Sequence, residues 1–166
     1  MSDETRQESV SEPPEHELIR IRREKLAKIV ALGYPAYPVR ADVDTTIEQV
    51  VRDESSKTGE ELDVAARNVK IAGRIMTLRD HGKTAFLDLS EGTARIQVYC
   101  RKDTLAEREW SLYQNLDLGD WVGVEGHVFR TKKGELSVKA SKLDFLVKAL
   151  RPLPEKWHGL TDIEQR

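Results

Sequence analysis

At Val69 the spacing of apolar residues changes from a helical period to a period of two, and this change limits what the chain can fold into. Successive side chains of a strand point to opposite faces. Val69, Ile71, Gly73 and Ile75 therefore line one face of a first strand, and Lys70, Ala72, Arg74 and Met76 the other, with Arg74 outward. Asp80-His81-Gly82-Lys83 has the composition of a turn. In Thr84-Ala85-Phe86-Leu87-Asp88-Leu89, Leu87 and Leu89 go to one side, Phe86 and Asp88 to the other. Glu91-Gly92 turns the chain again into Ala94–Cys100, which buries Ala94, Ile96, Val98 and Cys100 and turns Arg95, Gln97 and Tyr99 outward. Asp103 can cap a helix running to about Leu116. Trp121–Arg130 is a fourth strand, with Val122, Val124 and Val128 inward. Thr131-Lys132-Lys133-Gly134 closes a hairpin, and Glu135 to about Val147 returns as a fifth strand. Three strands, a helix and two strands within roughly 80 residues is the order of a five-stranded OB-fold barrel.

The residues before Val69 follow other rules. Residues 1–15 hold Pro13-Pro14 and scattered acids with nothing to bury, so they are expected to be a disordered tail. Helix is expected from about His16 to Leu32, with Gly33 as its stop. Arg20, Arg22, Arg23, Lys25 and Lys28 form a basic stripe on it, either a solubilising face or a contact with an RNA backbone. Tyr34–Pro38 must be extended or turning, because each proline disfavours helix in the residue before it. Thr45 and Glu48 have capping-box spacing ahead of a short helix, and Thr58 and Glu61 repeat it. The expected organisation is thus a tail over 1–15, a helical extension of little core capacity over 16–68, the barrel over 69–148, and a connector over 149–166. The fold class is mainly β with helices, α+β.

Composition excludes several functions. No run approaches the ~20 apolar residues of a membrane span, and the N-terminus has no apolar segment resembling a secretory signal. Cys100 is the single cysteine, which excludes an internal disulfide and a cysteine-based zinc site and points to a plain core thiol in a cytosolic protein. His81 has no second ligand residue near it, so no metal site is expected. The net charge of −2 is unevenly spread. Residues 1–68 carry 10 Lys and Arg against 15 Asp and Glu, whereas residues 69–148 carry 14 against 11, a surplus of three positive charges. A basic middle fits a nucleic-acid module, though solvated surface charge gives the same number.

In an OB barrel the face of strands 2 and 3, with the loops joining strands 1–2 and 4–5, forms the oligonucleotide groove. Here those elements carry Phe86, Gln97, Arg95, Lys83, Lys132 and Lys133. An aromatic ring stacks on a base, a carboxamide reads a base edge, and basic side chains neutralise phosphate. Glu135 makes sense in such a groove as an acceptor for a base imino or amino group, and otherwise flanks a turn. Arg74 is a phosphate or base contact, or an ion-pair partner of Glu135. No GxxxxGK[ST], GxSxG, HExxH or GxGxxG motif is present, and no carboxylate is paired with an obvious base or nucleophile. No cofactor is expected on this chain.

Ala72-Gly73-Arg74-Ile75-Met76, Gly82-Lys83, Ile96-Gln97-Val98-Tyr99, Leu118-Gly119-Asp120 and Thr131–Ser137 resemble the N-terminal part of bacterial class II lysine–tRNA ligases. Leu150–Leu160 is similar to that family's connector between anticodon-binding barrel and catalytic domain. The resemblance runs from about Leu18 to the last residue. It implies that the barrel binds the tRNA anticodon loop, whose lysine triplets are uridine-rich. The family's strand-2 aromatic and strand-3 glutamine contact the central uridine, and a strand-1 arginine and a glutamate after the strand 4–5 turn complete the pocket. Those roles fall on Phe86, Gln97, Arg74 and Glu135. The resemblance also implies tRNA contact by the N-terminal helix, and a homodimeric cytoplasmic parent enzyme that uses ATP and Mg2+. The sequence stops at Thr161–Arg166, where the family would begin its first catalytic motif, so aminoacylation is not expected of this chain alone. It is either a fragment of a longer ligase, which its polar end favours, or a free-standing protein that binds tRNA-like RNA or single-stranded nucleic acid without catalysis. A barrel serving mainly as an assembly surface is a further alternative.

Overall fold

The alternation that begins at Val69 becomes strand β1 (Asn68–Asp80) in a computed structural model that describes residues 15–151. Four further strands follow: β2 (Thr84–Glu91), β3 (Ala94–Arg101), β4 (Trp121–Arg130) and β5 (Leu136–Val147). They close a barrel in the order β1-β2-β3-β5-β4, antiparallel except for the β3–β5 pair. Ahead of the barrel stand helices α1 (Glu15–Ala31), α2 (Ile47–Glu54) and α3 (Gly59–Ala65), and α4 (Glu107–Gln114) lies between β3 and β4. The residues assigned inward are inward: Ile71, Ile75, Leu87, Leu89, Val98, Val122 and Val128 are fully buried, and Phe145 of β5 joins them. Cys100 lies among them, and burial pushes its thiol up to about 12. The expected five-stranded OB barrel with helices before it is the fold observed.

Three local features differ from the sequence reading. β1 runs four residues past Met76, through a register shift between Ile75 and Thr77. Such a bulge places an extra residue on one strand and breaks strict alternation. Beyond it Thr77 faces Asp88 and Arg79 faces Phe86, which puts both on the outer side of the sheet. The cap of α2 is Thr46 rather than Thr45, its hydroxyl accepting from Gln49 N at 3.1 Å. The amides of Asp44 and Thr45 are occupied by Lys70 O of β1, which delays the helix by one residue, and Glu48 pairs with Arg52. α4 starts at Glu107 with no side-chain cap, because Asp103 bonds Arg101 at 2.6 Å instead. The capping box of Thr58 and Glu61 is present with both arms made.

The helical extension also buries more than its sequence suggests. Ile29, Tyr34, Ile47, Val50 and Leu62 join the barrel's core cluster. α2 sits so close to β1 that a Cβ on Gly73 would lie 2.9 Å from Ile47 Cδ1. α1 ends at Ala31, and Gly33, with a φ of 100°, stops the helix as expected. Part of its basic stripe is structural. Arg22 donates to Ala149 O at 2.7 Å and Leu118 O at 3.1 Å, and Lys25 pairs with Asp117 at 2.7 Å. Behind them Lys148 is buried against Asp120 at 2.5 Å and Asp117 at 2.8 Å. Burial raises the Asp120 carboxyl despite Lys148, while for Asp117 the bonds from Lys148 and Lys25 outweigh burial and hold it low. Among the described residues no helix is long and apolar enough to cross a membrane. The expected tail and most of the expected connector lie outside the described residues.

Candidate nucleic-acid interface

Outward residues of β1, β2, β3 and β4, with the two loops above them, enclose a cleft of about 760 Å³. Its wall is a row of rings. Phe86 on β2 lies 5.0 Å from Tyr99 on β3, between ring centroids, at an interplanar angle of 35°. Tyr99 lies 6.1 Å from Phe129 on β4, and Phe129 lies 6.1 Å from His127. At the other end His81, in the β1–β2 turn, meets Phe86 edge-on at 5.9 Å. The Arg79 guanidinium stands 5.6 Å from the centre of the Phe86 ring, a cation–π placement. These positions follow from strand pairing: Arg79, Phe86 and Tyr99 are successive cross-strand partners, and partners share a face.

The floor is polar. Gln97 is nearly buried, and its side-chain oxygen accepts from the hydroxyl of fully buried Ser137 at 2.8 Å. Its partner on β2, Asp88, accepts from Thr77 Oγ1 at 2.8 Å and lies 3.8 Å from Arg95. The rim is the β4–β5 turn with Lys132, Lys133 and Glu135. That turn is closed by Gly134 N to Thr131 O at 2.8 Å and by Thr131 N to Glu135 O at 3.0 Å. Arg130 holds it from below, donating to Gly134 O at 2.9 Å while its other nitrogens donate to Ser55 O at 2.6 Å and Lys57 O at 2.8 Å. The opposite loop is organised by Asp80, which accepts from Gly82 N at 2.7 Å and from the Tyr113 hydroxyl of α4 at 3.0 Å. Burial, then Asp80, raises the Tyr113 phenol well above its ordinary value.

Of the residues singled out from sequence, the structure brings Phe86, Gln97, Glu135, Lys132 and Lys133 into one cleft. Gln97 is its floor rather than a freely exposed group. Arg74 lies outside the lining: it stands opposite Ser90 and Trp121, with its guanidinium 5.6 Å from the Trp121 ring centre. No ion pair joins Arg74 to Glu135 among the described residues, and the strand-1 arginine of the cleft is Arg79. Arg95 stands at the margin beside Asp88, and Lys83 is exposed in the turn outside the lining. Sequence reasoning passed over Arg79, which the bulge hides, and read His81 as a loop residue. Phe129 was within reach, since inward Val128 implies an outward neighbour.

The cleft thus offers flat apolar faces, amide and carboxylate groups at its floor and edge, and a basic rim. That set suits stacked bases with phosphates outside. It holds no nucleophile–base pair, and no group of three metal-ligating side chains occurs among the described residues.

Comparison with known proteins agrees with this geometry. Residues 69–146 match the tRNA anticodon family, described as an OB-fold nucleic acid binding domain. The chain is similar to a lysine–tRNA ligase of Halalkalibacterium halodurans, 41% identical over 151 residues, or 91% of this chain and 30% of the relative. It is similar to one from Streptococcus thermophilus, 44% identical over 144 residues, covering 87% of this chain and 29% of the relative. A lysine–tRNA ligase of Carboxydothermus hydrogenoformans is 40% identical over 151 residues, again 30% of its length. The chain spans less than a third of these curated relatives. The barrel thus matches an OB-fold nucleic acid binding domain of the tRNA anticodon family, in a chain similar over most of its own length to lysine–tRNA ligases.

Proposed function

We propose that the cleft binds the uridine-rich anticodon loop of a lysine tRNA, as the anticodon-reading part of a lysine–tRNA ligase. The observation that carries this is the placement of the Gln97 amide on the floor of a row of rings, under a basic rim. Phe86 stacks on the central base, Gln97 reads its edge, Glu135 accepts from a base imino or amino group, and Lys132 and Lys133 meet phosphate. Arg79 takes the strand-1 position at the ring, and Arg74 and Arg95 serve the flanking backbone. Lysine activation with ATP and Mg2+, a homodimeric parent and a cytoplasmic setting belong to the same reading, by homology to relatives three times as long.

The test is binding of the purified chain to an anticodon stem-loop bearing UUU, against the same loop with the central base changed to C. Clear preference for UUU is expected. Equal binding would refute the anticodon reading and favour a generic single-strand binder, which the sequence-tolerant ring row on its own would support.

A further inference from the structure

Gln97 and Ser137 are register partners across the parallel β3–β5 pair, and the Ser137 side chain has no other role at the surface, being fully buried. A carboxamide is a two-faced reader: its oxygen only accepts and its nitrogen only donates. Which face meets a base decides which base is accepted. We infer that Ser137 is a positioning residue that fixes this choice, holding the Gln97 oxygen so that the N–H donors face the groove. The inference rests on the reading of the cleft as an anticodon site.

Two features carry it. Ser137 Oγ lies 2.8 Å from Gln97 Oε1, nearer than the 3.2 Å to its second acceptor, Glu135 O. A hydroxyl has one proton to donate, and the amide oxygen is the nearer of its two acceptors. The groove side of Gln97 is acidic as well, with Asp88 as its β2 partner and Glu135 lining the same cleft. With the amide oxygen taken by Ser137, the amide nitrogen is the group left for the groove, where a donor suits the acceptor-only carboxylates better than a second oxygen would.

The consequence is selectivity at one atom. Uracil carries an acceptor oxygen at C4 and cytosine carries a donor amino group there. A donor held in place meets the uracil oxygen with a hydrogen bond and meets the cytosine amino group with an unpaired donor–donor contact. Without Ser137 the amide can reverse and satisfy either base.

The experiment uses the full chain, with UUU and UCU anticodon stem-loops as probes and circular dichroism to verify folding. Wild type is expected to prefer UUU by about tenfold or more, the scale of one buried hydrogen bond left unmade. Ser137→Ala is expected to bring that ratio below about threefold, whereas a serine that merely fills space would weaken both complexes equally and leave the ratio unchanged. An unchanged ratio in folded Ser137→Ala overturns the inference. Gln97→Glu probes the same anchor with Ser137 intact: its anchored carboxylate presents an acceptor, so the preference should shift toward UCU. A Gln97→Glu chain that keeps the full UUU preference overturns the inference too. Wild type with no preference would overturn the proposed function itself, and the inference with it, so the two failures are separable.

Discussion

Replacing Phe86 by alanine removes the ring between His81 and Tyr99 from the row. The ring is half-buried and lies outside the barrel core, with Tyr99 at 5.0 Å on one side and the Arg79 guanidinium at 5.6 Å from its centre. The inward neighbours Ala85 and Leu87 hold the strand without it, so the barrel should remain folded. Stacking of a base on an aromatic side chain contributes ~1–3 kcal/mol, which is a loss of roughly fivefold to over a hundredfold in affinity. The loss should approach the upper end, because alanine also releases Arg79 from a placement worth ~0.5–1 kcal/mol at exposed sites. Phe86→Leu keeps apolar area but no π face and should fall between wild type and alanine. Fluorescence anisotropy with a labelled UUU stem-loop, at one fixed salt concentration, measures all three. A folded Phe86→Ala chain that binds within twofold of wild type would refute the stacking argument and move the contact to Tyr99 or Phe129.

Arg79→Ala should weaken the same complex by about 1 kcal/mol or more, the scale of a hydrogen bond to a charged group. Arg74→Ala, off the cleft lining, should cost less than half as much, and an equal loss in the same titration would mean that the RNA runs past Trp121. Lys148→Ala leaves Asp120 buried without its cation and should destabilise the fold by ~3–5 kcal/mol in denaturant titration. Adding Asp120→Asn to that variant should recover part of the loss, and no recovery would show that the pair is not what Lys148 serves. With its thiol pushed up to about 12 by burial, Cys100 stays protonated and enclosed at pH 8. It should react with a thiol reagent only on unfolding, and stoichiometric labelling of the native chain would contradict that environment.

The barrel was legible because its strands are buried on one face only, so Ile96-Gln97-Val98-Tyr99 declares its own orientation. The cleft was legible to the same depth: Phe86, Gln97 and the Lys132-Lys133 turn follow from alternation and from where an OB barrel binds. What stayed hidden depends on pairing rather than pattern. The bulge after Ile75 moves Arg79 to the outer face, and nothing in Thr77-Leu78-Arg79 marks it, since only the partner strand sets the register. Arg74 is outward as expected but lies at the Ser90 end of the sheet, a distance along the strand that periodicity does not measure. Gln97 was expected to be exposed because alternation turns it outward, and the parallel pairing with β5 covers it with Ser137. Asp103 and Thr45 failed as caps because Arg101 and Lys70 compete for the groups involved.

Arg130 shows how the helical extension enters the chemistry of the cleft without touching it. In the sequence Arg130 stands at the end of β4, just before the turn that carries Lys132 and Lys133. Its guanidinium is directed at three backbone carbonyls, two after the end of α2 and one in the hairpin turn. The turn that carries Lys132, Lys133 and Glu135 is therefore fastened to residues 55–57, not only to the strands it connects. α2 is fastened in turn, by Ile47 N to the Glu91 carboxylate at 3.1 Å and by packing against Gly73. If the groove reads bases as proposed, its walls need to be held in place before RNA arrives, since ordering them on binding would consume the same free energy. The residues of the extension thus brace the wall that carries Lys132, Lys133 and Glu135, so extension and groove form one packed unit.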